Sequence, residues 1–385
     1  MLQTMSQTID SRSNDPLHLA FMIARYGRGG VERMMLNTAV GLARRGHRVD
    51  YLAPARGAYL DGLEAGIRLH PLPDRAKDRQ KFLRDYLNQI SPRCLVVAKD
   101  RDLDLALSVR RRTGSSVRIV MRPGTTLSAR LAGQPWFRRW LSHYRTARRH
   151  IQADAVVANA EAVRQDVAAI MGRPEADIFL VPNPVITPAM LAQADMPPTH
   201  HWLCEPGPPV ILGVGNLHRV KDFATLIRAL ALVRAQQPAR LILLGDGHLR
   251  EELLSLARDL GVAEAVDLPG FVENPYPFLR AAQVFVLSSL REGSPNALTE
   301  ALALGTPVVA TDCPGGHREI LGREDIGALV PVQCPHTMAQ AILTTLHSPP
   351  AAARLRDAVA AYTQDNTALA YEALLRRVCD AGVSR

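Results

Sequence analysis

Short apolar runs rich in β-branched residues recur along this chain, and each precedes a polar or glycine-containing loop. The first two are residues 18–24 and 48–53. Between them, residues 32–45 carry apolar side chains at every third or fourth position, and Gly46 follows. Apolar runs of this kind form strands buried on both faces, and the intervening period is helical. Strand, loop, helix and strand make a βαβ unit, and a series of such units predicts a parallel sheet.

The same runs continue through the chain and fall into two groups. They are residues 94–98, 117–121, 154–159 and 178–184, and then 210–215, 241–247, 266–272, 283–289 and 306–312. Residues 187–209 contain six prolines and no apolar period, which is typical of a linker. Because 385 residues exceed one ordinary core, we expect a first domain at 1–188, a linker at 189–208, a second domain at 209–365 and a C-terminal helix at 366–385.

Residues 291–300 combine a strand end, a loop and a helix start. Ser294 is a good N-cap and Pro295 suits the first helical position, which would leave the N–H groups of residues 296–298 unpaired. Such a helix start binds anions. Glu292 and Glu300 flank it, and carboxylates bind hydroxyls but repel phosphate. The segment therefore predicts a pocket for a diphosphate with sugar hydroxyls on both sides.

Two further loops follow predicted strands. Gly29 and Gly30 precede a helix and leave room for a ligand to approach the backbone. The dinucleotide pattern GxGxxG is absent because Glu32 occupies the third glycine position, which disfavours a nicotinamide enzyme. Arg219 and Lys221 follow strand 210–215, where they could offset the charge of about −2 to −3 on a departing nucleotide.

Residues 291–300 resemble the Glu-x7-Glu signature of glycosyltransferase family 4. Residues 29–33 are similar to the Gly-Gly-x-Glu-Arg run that opens many of its members, and the resemblance covers about residues 18–380. It implies an α/β GT-B fold, in which two Rossmann-like domains with parallel sheets face each other across a cleft and the C-terminal helix crosses back to the first domain. It also implies a retaining sugar transfer from a nucleotide-diphosphate sugar.

The resemblance assigns roles to residues. Glu292 would hold the transferred sugar, Glu300 the ribose hydroxyls and Lys221 the diphosphate. Asn216 stands where the family has arginine, and Arg219 could replace that charge; Arg122 stands where many members have histidine. The implied catalytic residues are Glu292, Lys221 and Arg219, the acceptor side is Arg122, and the donor-binding residues are Gly29, Gly30, Asn216, Gly245, Val272, Gly293, Ser294, Pro295, Asn296, Ala297, Leu298 and Glu300.

Positive charge is concentrated in the first half. Residues 75–150 hold 19 Lys and Arg against 5 Asp and Glu, a local charge of +14 in a chain of net charge +9. Such a face suits nucleic acid, an anionic membrane surface or an acidic acceptor. Within it, residues 134–141 mix aromatics with arginines, a pattern suited to a membrane interface. Alternatively, an amphipathic helix buries Trp136 and Trp140 against its own domain.

No cofactor and no metal site are expected. The five cysteines form no CxxC pair, which disfavours disulfides and zinc and suits the cytoplasm. No apolar run approaches the roughly 18 to 20 residues that cross a bilayer, and the N-terminus lacks a signal-peptide core. Asp100, Asp102 and Asp104 match the Asp-x-Asp pattern of metal-dependent sugar transferases. Acids after a strand, however, are also expected to cap the next helix.

Together with the resemblance, which implies a retaining and metal-independent transfer, these observations predict a cytoplasmic glycosyltransferase, peripheral at the inner face of the cytoplasmic membrane. The donor would be a UDP-sugar, by resemblance, and the acceptor a cell-envelope glycan or lipid-linked glycan. A nucleotide-sugar sensor or pseudoenzyme without transfer activity is the alternative, since Asn216 and Arg122 depart from the family pattern. No motif supports a nucleic-acid partner.

Overall fold

The structure, a computed structural model, describes residues 15–27, 29–57, 60, 63, 66–322 and 325–381. Its strands form two parallel sheets, of seven strands in the order β3-β2-β1-β4-β5-β6-β7 and of six in the order β10-β9-β8-β11-β12-β13. The strands are β1 (His18–Met22), β2 (Arg48–Ala53), β3 (Ile67–Pro71), β4 (Cys94–Val97), β5 (Arg118–Met121), β6 (Ala155–Ala158), β7 (Phe179–Leu180), β8 (Val210–Val214), β9 (Arg240–Leu244), β10 (Val266–Gly270), β11 (Val284–Leu287), β12 (Val308–Thr311) and β13 (Ala328–Val330).

Helices connect the strands and cover both sheets. They are α1 (Gly30–Arg44), α2 (Ala76–Gln89), α3 (Asp100–Thr113), α4 (Leu127–Leu131), α5 (Trp136–His150), α6 (Glu161–Met171), α7 (Pro188–Ala194), α8 (His201–Cys204), α9 (Phe223–Arg234), α10 (Arg250–Asp259), α11 (Tyr276–Ala281), α12 (Asn296–Ala303), α13 (His317–Leu321), α14 (Pro335–His347), α15 (Ala352–Ala358) and α16 (Gln364–Asp380). No helix in the described ranges is long and apolar enough to cross a membrane.

The prediction of two parallel, helix-covered sheets is confirmed. In each sheet the strand order reverses next to the first strand, between β1 and β4 and between β8 and β11, as in a doubly wound fold. The central strands are buried on both faces, and all four residues of β4 and of β11 are buried. Two edge strands lacked this apolar signal, because β3 is only half-buried and β13 has three residues.

The predicted linker is not free of structure. Pro188 starts helix α7, and the Thr187 hydroxyl accepts a hydrogen bond from the Met190 N–H at 3.0 Å. Met190 and Ala194 are buried in the core beneath the second sheet. A helix forms within this proline-rich segment because proline is favoured in the first turn of a helix, where its missing N–H costs nothing.

The last helix returns to the first sheet. Helix α16 packs on α1, where the Gln364 side chain donates to the Asn37 carbonyl at 2.8 Å. Tyr371 and Leu375 are buried with the core residues of β1 and β2. The helix begins two residues before the predicted 366, because the Thr363 hydroxyl caps it by accepting from the Asn366 N–H.

Candidate active site in the cleft between the sheets

A cavity of about 330 Å³ lies between the two sheets. Several lining residues directly follow strands: Arg122 follows β5, Asn159 follows β6, and Gly215 and Gly245 follow β8 and β9. The carboxyl ends of both sheets therefore face one cavity, which is where open α/β sheets bind ligands.

Helix α12 begins at the cavity, one residue later than predicted. Pro295 has φ −79° and ψ 85°, which is not helical, so Pro295 rather than Ser294 precedes the first turn, and no side chain caps it. The Leu298 N–H donates to the Pro295 carbonyl at 3.1 Å, and Leu298 is buried outside the cavity lining. The predicted donor set therefore shrinks to the N–H groups of Asn296 and Ala297, for which no hydrogen bond occurs within the described ranges.

Lys221 and Glu292 line the cavity together. The Lys221 ammonium lies 2.6 Å from Glu292 Oε1, and the Ser289 hydroxyl donates to the same oxygen at 2.7 Å. Burial alone would raise the pKa of Glu292, but the Lys221 charge and these two hydrogen bonds outweigh it and lower the pKa below its usual value. Glu292 is therefore an ionised carboxylate at neutral pH.

Glu300 lies one turn into α12 and is almost fully buried. The guanidinium of Arg33, which lies on α1, donates to Glu300 Oε1 and to the Tyr276 hydroxyl, the latter at 2.9 Å. Burial raises the pKa of Glu300, and the charge of Arg33 opposes that rise. Arg33 was not predicted to have a separate role, because its partners Glu300 and Tyr276 lie on helices of the second sheet.

A second polar contact crosses the cleft. The Arg122 guanidinium donates to Asn183 Oδ1, and Asn183 Nδ2 donates to Asn296 Oδ1 at 2.7 Å. Arg122 is 2% exposed. It lines the cavity, and its charged group is engaged with Asn183 and supports the start of α12.

The glycines of the site allow backbone segments to approach closely. A Cβ on Gly293 would lie 2.1 Å from the Gly124 carbonyl oxygen, and a Cβ on Gly30 would lie 2.9 Å from Asn296 Nδ2. Gly245 has φ +141°, and its Cβ would lie 2.0 Å from the Gly215 oxygen. A side chain at Gly293 or Gly245 would meet backbone and force neighbouring loops apart, whereas a Cβ at Gly30 would meet only the end of the Asn296 side chain.

All but two of the predicted site residues line this cavity. In addition to the residues described above, the predicted residues that line the cavity are Gly29, Asn216, Val272, Ser294, Pro295 and Ala297. Arg219 is the second exception after Leu298, because it is exposed on the short 3₁₀ turn at 219–221 and does not line the cavity. Cavity-lining residues that the sequence did not single out include Arg33, Asn159, Asn183 and Phe271.

The aspartates of the Asp-x-Asp pattern lie in the first turns of α3. Asp102 accepts from the Ala24 N–H at 3.3 Å, Asp100 pairs with His150 and Asp104 with Arg149. None of the three lines the cavity. Within the described ranges, no group of three or more His, Cys, Asp or Glu side chains is arranged to hold a metal ion.

Both halves of the chain match known domain families. Residues 28–187 match Glycosyltransferase Family 4, and residues 208–348 match Glycosyl transferases group 1. The two matches and the fold described above support a glycosyltransferase of the GT-B class.

Curated relatives are similar over part of their length. A Campylobacter jejuni N-acetylgalactosamine-N,N'-diacetylbacillosaminyl-diphospho-undecaprenol 4-alpha-N-acetylgalactosaminyltransferase is 41% identical over 136 residues, which is 35% of this chain and 37% of that protein. A lipopolysaccharide core biosynthesis glycosyltransferase of Rhizobium meliloti, LpsE, is 43% identical over 107 residues, 28% of this chain and 31% of that protein. The matches thus span 37% and 31% of the relatives' own lengths.

Solved structures resemble nearly the whole chain. A sucrose-phosphate synthase from Thermosynechococcus elongatus has a TM-score of 0.76 at 19% identity, covering 94% of this chain and 99% of that one. The Anabaena protein HepE in complex with UDP-glucose has a TM-score of 0.74 at 17% identity, and the match covers 96% of this chain and 100% of that one. At such identities the likeness establishes the GT-B fold alone.

Proposed function

We propose that this chain is a retaining glycosyltransferase that moves a sugar from a nucleotide-diphosphate sugar to a cell-envelope glycan or lipid-linked acceptor. The observation that carries the proposal is the convergence of Lys221, Glu292, Glu300 and the start of α12 on one cavity between the sheets. In this proposal the second domain, residues 209–365, binds the donor, and the first domain, residues 1–188, binds the acceptor. Residues 189–208 link the two domains, and the C-terminal helix, residues 366–385, returns to the first domain.

The helix start and Lys221 would stabilise the leaving diphosphate. As the bond to the sugar breaks, negative charge grows on the phosphate oxygen, and donors already aimed at that position lower the barrier. The free N–H groups of α12 and the Lys221 ammonium provide such donors without a metal ion. Arg219 and Leu298 are left out of this assignment because they lie outside the cavity lining.

The two glutamates would bind hydroxyls. Glu292 keeps one carboxylate oxygen on Lys221 and Ser289 and would accept hydroxyls of the transferred sugar with the other. Glu300 would accept the ribose hydroxyls, which requires them to share this carboxylate with Arg33 or to displace the guanidinium from it. No side chain of the cavity is assigned as a covalent nucleophile, so retention would rest on attack by the acceptor from the face that the diphosphate leaves.

The donor and acceptor classes draw support from the relatives' names. One relative is named for transfer to a diphospho-undecaprenol-linked sugar and another for lipopolysaccharide core synthesis. A protein of the same fold has been solved with UDP and with UDP-glucose. We therefore propose a UDP-sugar donor and a cytoplasmic enzyme that works at the inner face of the membrane.

A donor screen tests the proposal. Purified protein would be melted with UDP-, GDP- and ADP-sugars, and a ligand that binds the native state raises Tm. We expect one UDP-sugar to stabilise the protein and to be slowly hydrolysed, with activity unchanged by EDTA, and NMR of the product to show the donor's anomeric configuration. Stabilisation without turnover on lipid-linked acceptors would contradict transfer; an inverted product would contradict retention.

A further inference from the structure

Helix α5 presents its aromatic side chains to solvent. Trp136 is 78% exposed, Trp140 61% and Phe137 52%, and Leu141 and Tyr144 are exposed as well. Because a helix has 3.6 residues per turn, these five positions lie on one face. The alternative in which Trp136 and Trp140 are buried against their own domain is therefore wrong.

The opposite face of α5 attaches the helix to the protein. Thr146 and His150 are buried there, and the helix packs against α3, α4 and α6. His150 Nε2 lies 3.1 Å from Asp100, and Arg149 Nε lies 2.9 Å from Asp104. A surface helix normally turns its apolar stripe inward. Here the polar face is inside, and the apolar stripe is free to contact something else.

The exposed stripe is flanked by positive charge. Helix α5 contains five arginines and no acidic residue. Arg138, Arg139 and Arg145 are exposed, and none of them forms an ion pair with another described residue. Arg148 lies over the Tyr144 ring at 5.6 Å. The outer surface of α5 therefore combines a continuous aromatic stripe with uncompensated cations.

We propose that the outer face of α5 docks this chain on an anionic lipid bilayer, with the aromatic stripe in the interfacial region and the arginines at the headgroups. Tryptophan and tyrosine favour that region because their rings are apolar and their N–H and O–H groups reach water. Anionic headgroups complement a helix that has no acid.

Docking by α5 would place the membrane beside the first sheet, because α5 packs on the helices α3, α4 and α6 of that half of the chain. Thr125 lines the cavity, and α5 begins shortly after it in the chain, following α4. An acceptor held in the bilayer would then meet the first-sheet side of the cavity. This consequence rests on the proposed function, whereas lipid binding itself does not and is measured without donor or acceptor.

Tryptophan fluorescence reports insertion directly. The chain has three tryptophans, so Trp202→Phe leaves only Trp136 and Trp140 as emitters. The full-length variant is mixed with vesicles of phosphatidylcholine alone or with about one third phosphatidylglycerol. We expect a blue shift and quenching by brominated lipid with the anionic vesicles. Unshifted emission with vesicles that pellet the protein would overturn aromatic insertion.

Matched variants separate the aromatic and charge contributions in vesicle sedimentation. Trp136→Ser with Trp140→Ser should weaken partitioning by roughly tenfold or more, since binding scales with the apolar area buried. Leu369→Ser, at a 53% exposed position on α16, should not weaken it. Arg138→Gln with Arg145→Gln should weaken partitioning to anionic vesicles by about fivefold for each charge removed. The pair Arg111→Gln with Arg112→Gln removes two exposed charges from α3. It should weaken partitioning less than the α5 pair does.

The outcomes decide between sources of binding. The positions changed for sedimentation are all exposed, whereas Trp202 is partly buried, and an unchanged Tm verifies that each variant folds. If the α5 and α3 arginine pairs weakened vesicle partitioning equally, binding would depend only on net charge, and α5 would not be the docking site. Binding of single-stranded oligonucleotides that competes with vesicles and is lost in the tryptophan variant would assign the stripe to nucleic acid instead. A protein that binds no vesicles yet is stabilised by a UDP-sugar would refute docking and leave the proposed transferase intact.

Discussion

The Lys221 ammonium lies 2.6 Å from the Glu292 carboxylate at the wall of the cavity between the two sheets. The charge of Lys221 lowers the pKa of Glu292 and keeps it ionised, and Ser289 adds a second hydrogen bond to the carboxylate. A substrate phosphate that reached this wall would share the ammonium with Glu292. The pair therefore joins the groups assigned to the sugar and to the diphosphate into one unit.

Replacing Lys221 tests the leaving-group assignment. Lys221→Ala removes a cation aimed at the diphosphate, and the loss of one such donor lowers kcat by roughly 10²-fold or more. Arg219→Ala is the matched control, because Arg219 is also basic but is exposed on the same turn and outside the cavity lining. It should leave turnover within about twofold. Near-normal transfer by Lys221→Ala would contradict the assignment.

Replacing Glu300 tests the ribose assignment. Glu300→Ala removes a hydroxyl acceptor that acts equally in the ground state and the transition state, so donor KM should rise and kcat should change little. Since a carboxylate hydrogen bond contributes about 1.5–3 kcal/mol, we expect the rise to be at least tenfold. Steady-state kinetics with varied donor measures it. An unchanged KM with lost turnover would show that Glu300 acts on the reacting sugar instead.

The Arg33–Glu300 pair predicts a pH-dependent stability. Burial raises the pKa of Glu300 above its ordinary 4.5, and Arg33 opposes that rise, so Arg33→Ala should raise it further. A raised pKa stabilises the fold below the unfolded-state pKa, and this contribution is lost as pH rises through the folded-state pKa. Relative to wild type, Arg33→Ala should therefore lose stability from about pH 4.5 toward neutrality, by about 1.4 kcal/mol for each unit of added pKa.

Urea unfolding at pH 5 and pH 7 measures this difference, and a second variant isolates its source. In Arg33→Ala with Glu300→Gln no carboxyl titrates at this position, so the extra pH trend should disappear. If the double variant keeps the trend, its origin lies in another group and the assignment to Glu300 is wrong.

The close approach of the loops after β5 and β11 requires a residue without a side chain at position 293. A Cβ at this position would lie 2.1 Å from the Gly124 oxygen, next to the backbone bridge between Thr125 and Gly293. Gly293→Ala must displace one segment, and a misplacement of about 1 Å near the chemistry costs on the order of 10²-fold in rate. Gly133→Ala, where a Cβ meets nothing within 4 Å, is the control. Equal transfer rates for the two variants would contradict the requirement.

The sequence predicted most of the fold because strands buried on both faces appear as continuous apolar runs. Edge strands β3 and β13 were not predicted, since β3 is only half-buried and β13 has only three residues. Helix α7 was not predicted, because its first residue, Pro188, belongs to a proline-rich segment, and such segments are typical of linkers. The start of α12 was misplaced by one residue because Ser294 and Pro295 both favour helix starts, and only the backbone angles of Pro295 decide between them.

The site was predictable where its residues lie close together in the chain. Glu292 and Glu300 share one strand–loop–helix segment, so their common cavity followed from local pattern. Arg33 was not predictable in this way, since 267 positions separate it from Glu300. Lys221 and Arg219 lie on one short turn, and the direction of each side chain depends on packing that residue type does not specify.

A crystal structure with a bound nucleotide-diphosphate sugar tests the central claim most directly. We predict the diphosphate at the start of α12 and on Lys221, the ribose hydroxyls on Glu300 and hydroxyls of the transferred sugar on Glu292. A donor bound outside this cavity, or bound within it with these three side chains turned away from it, would contradict the account.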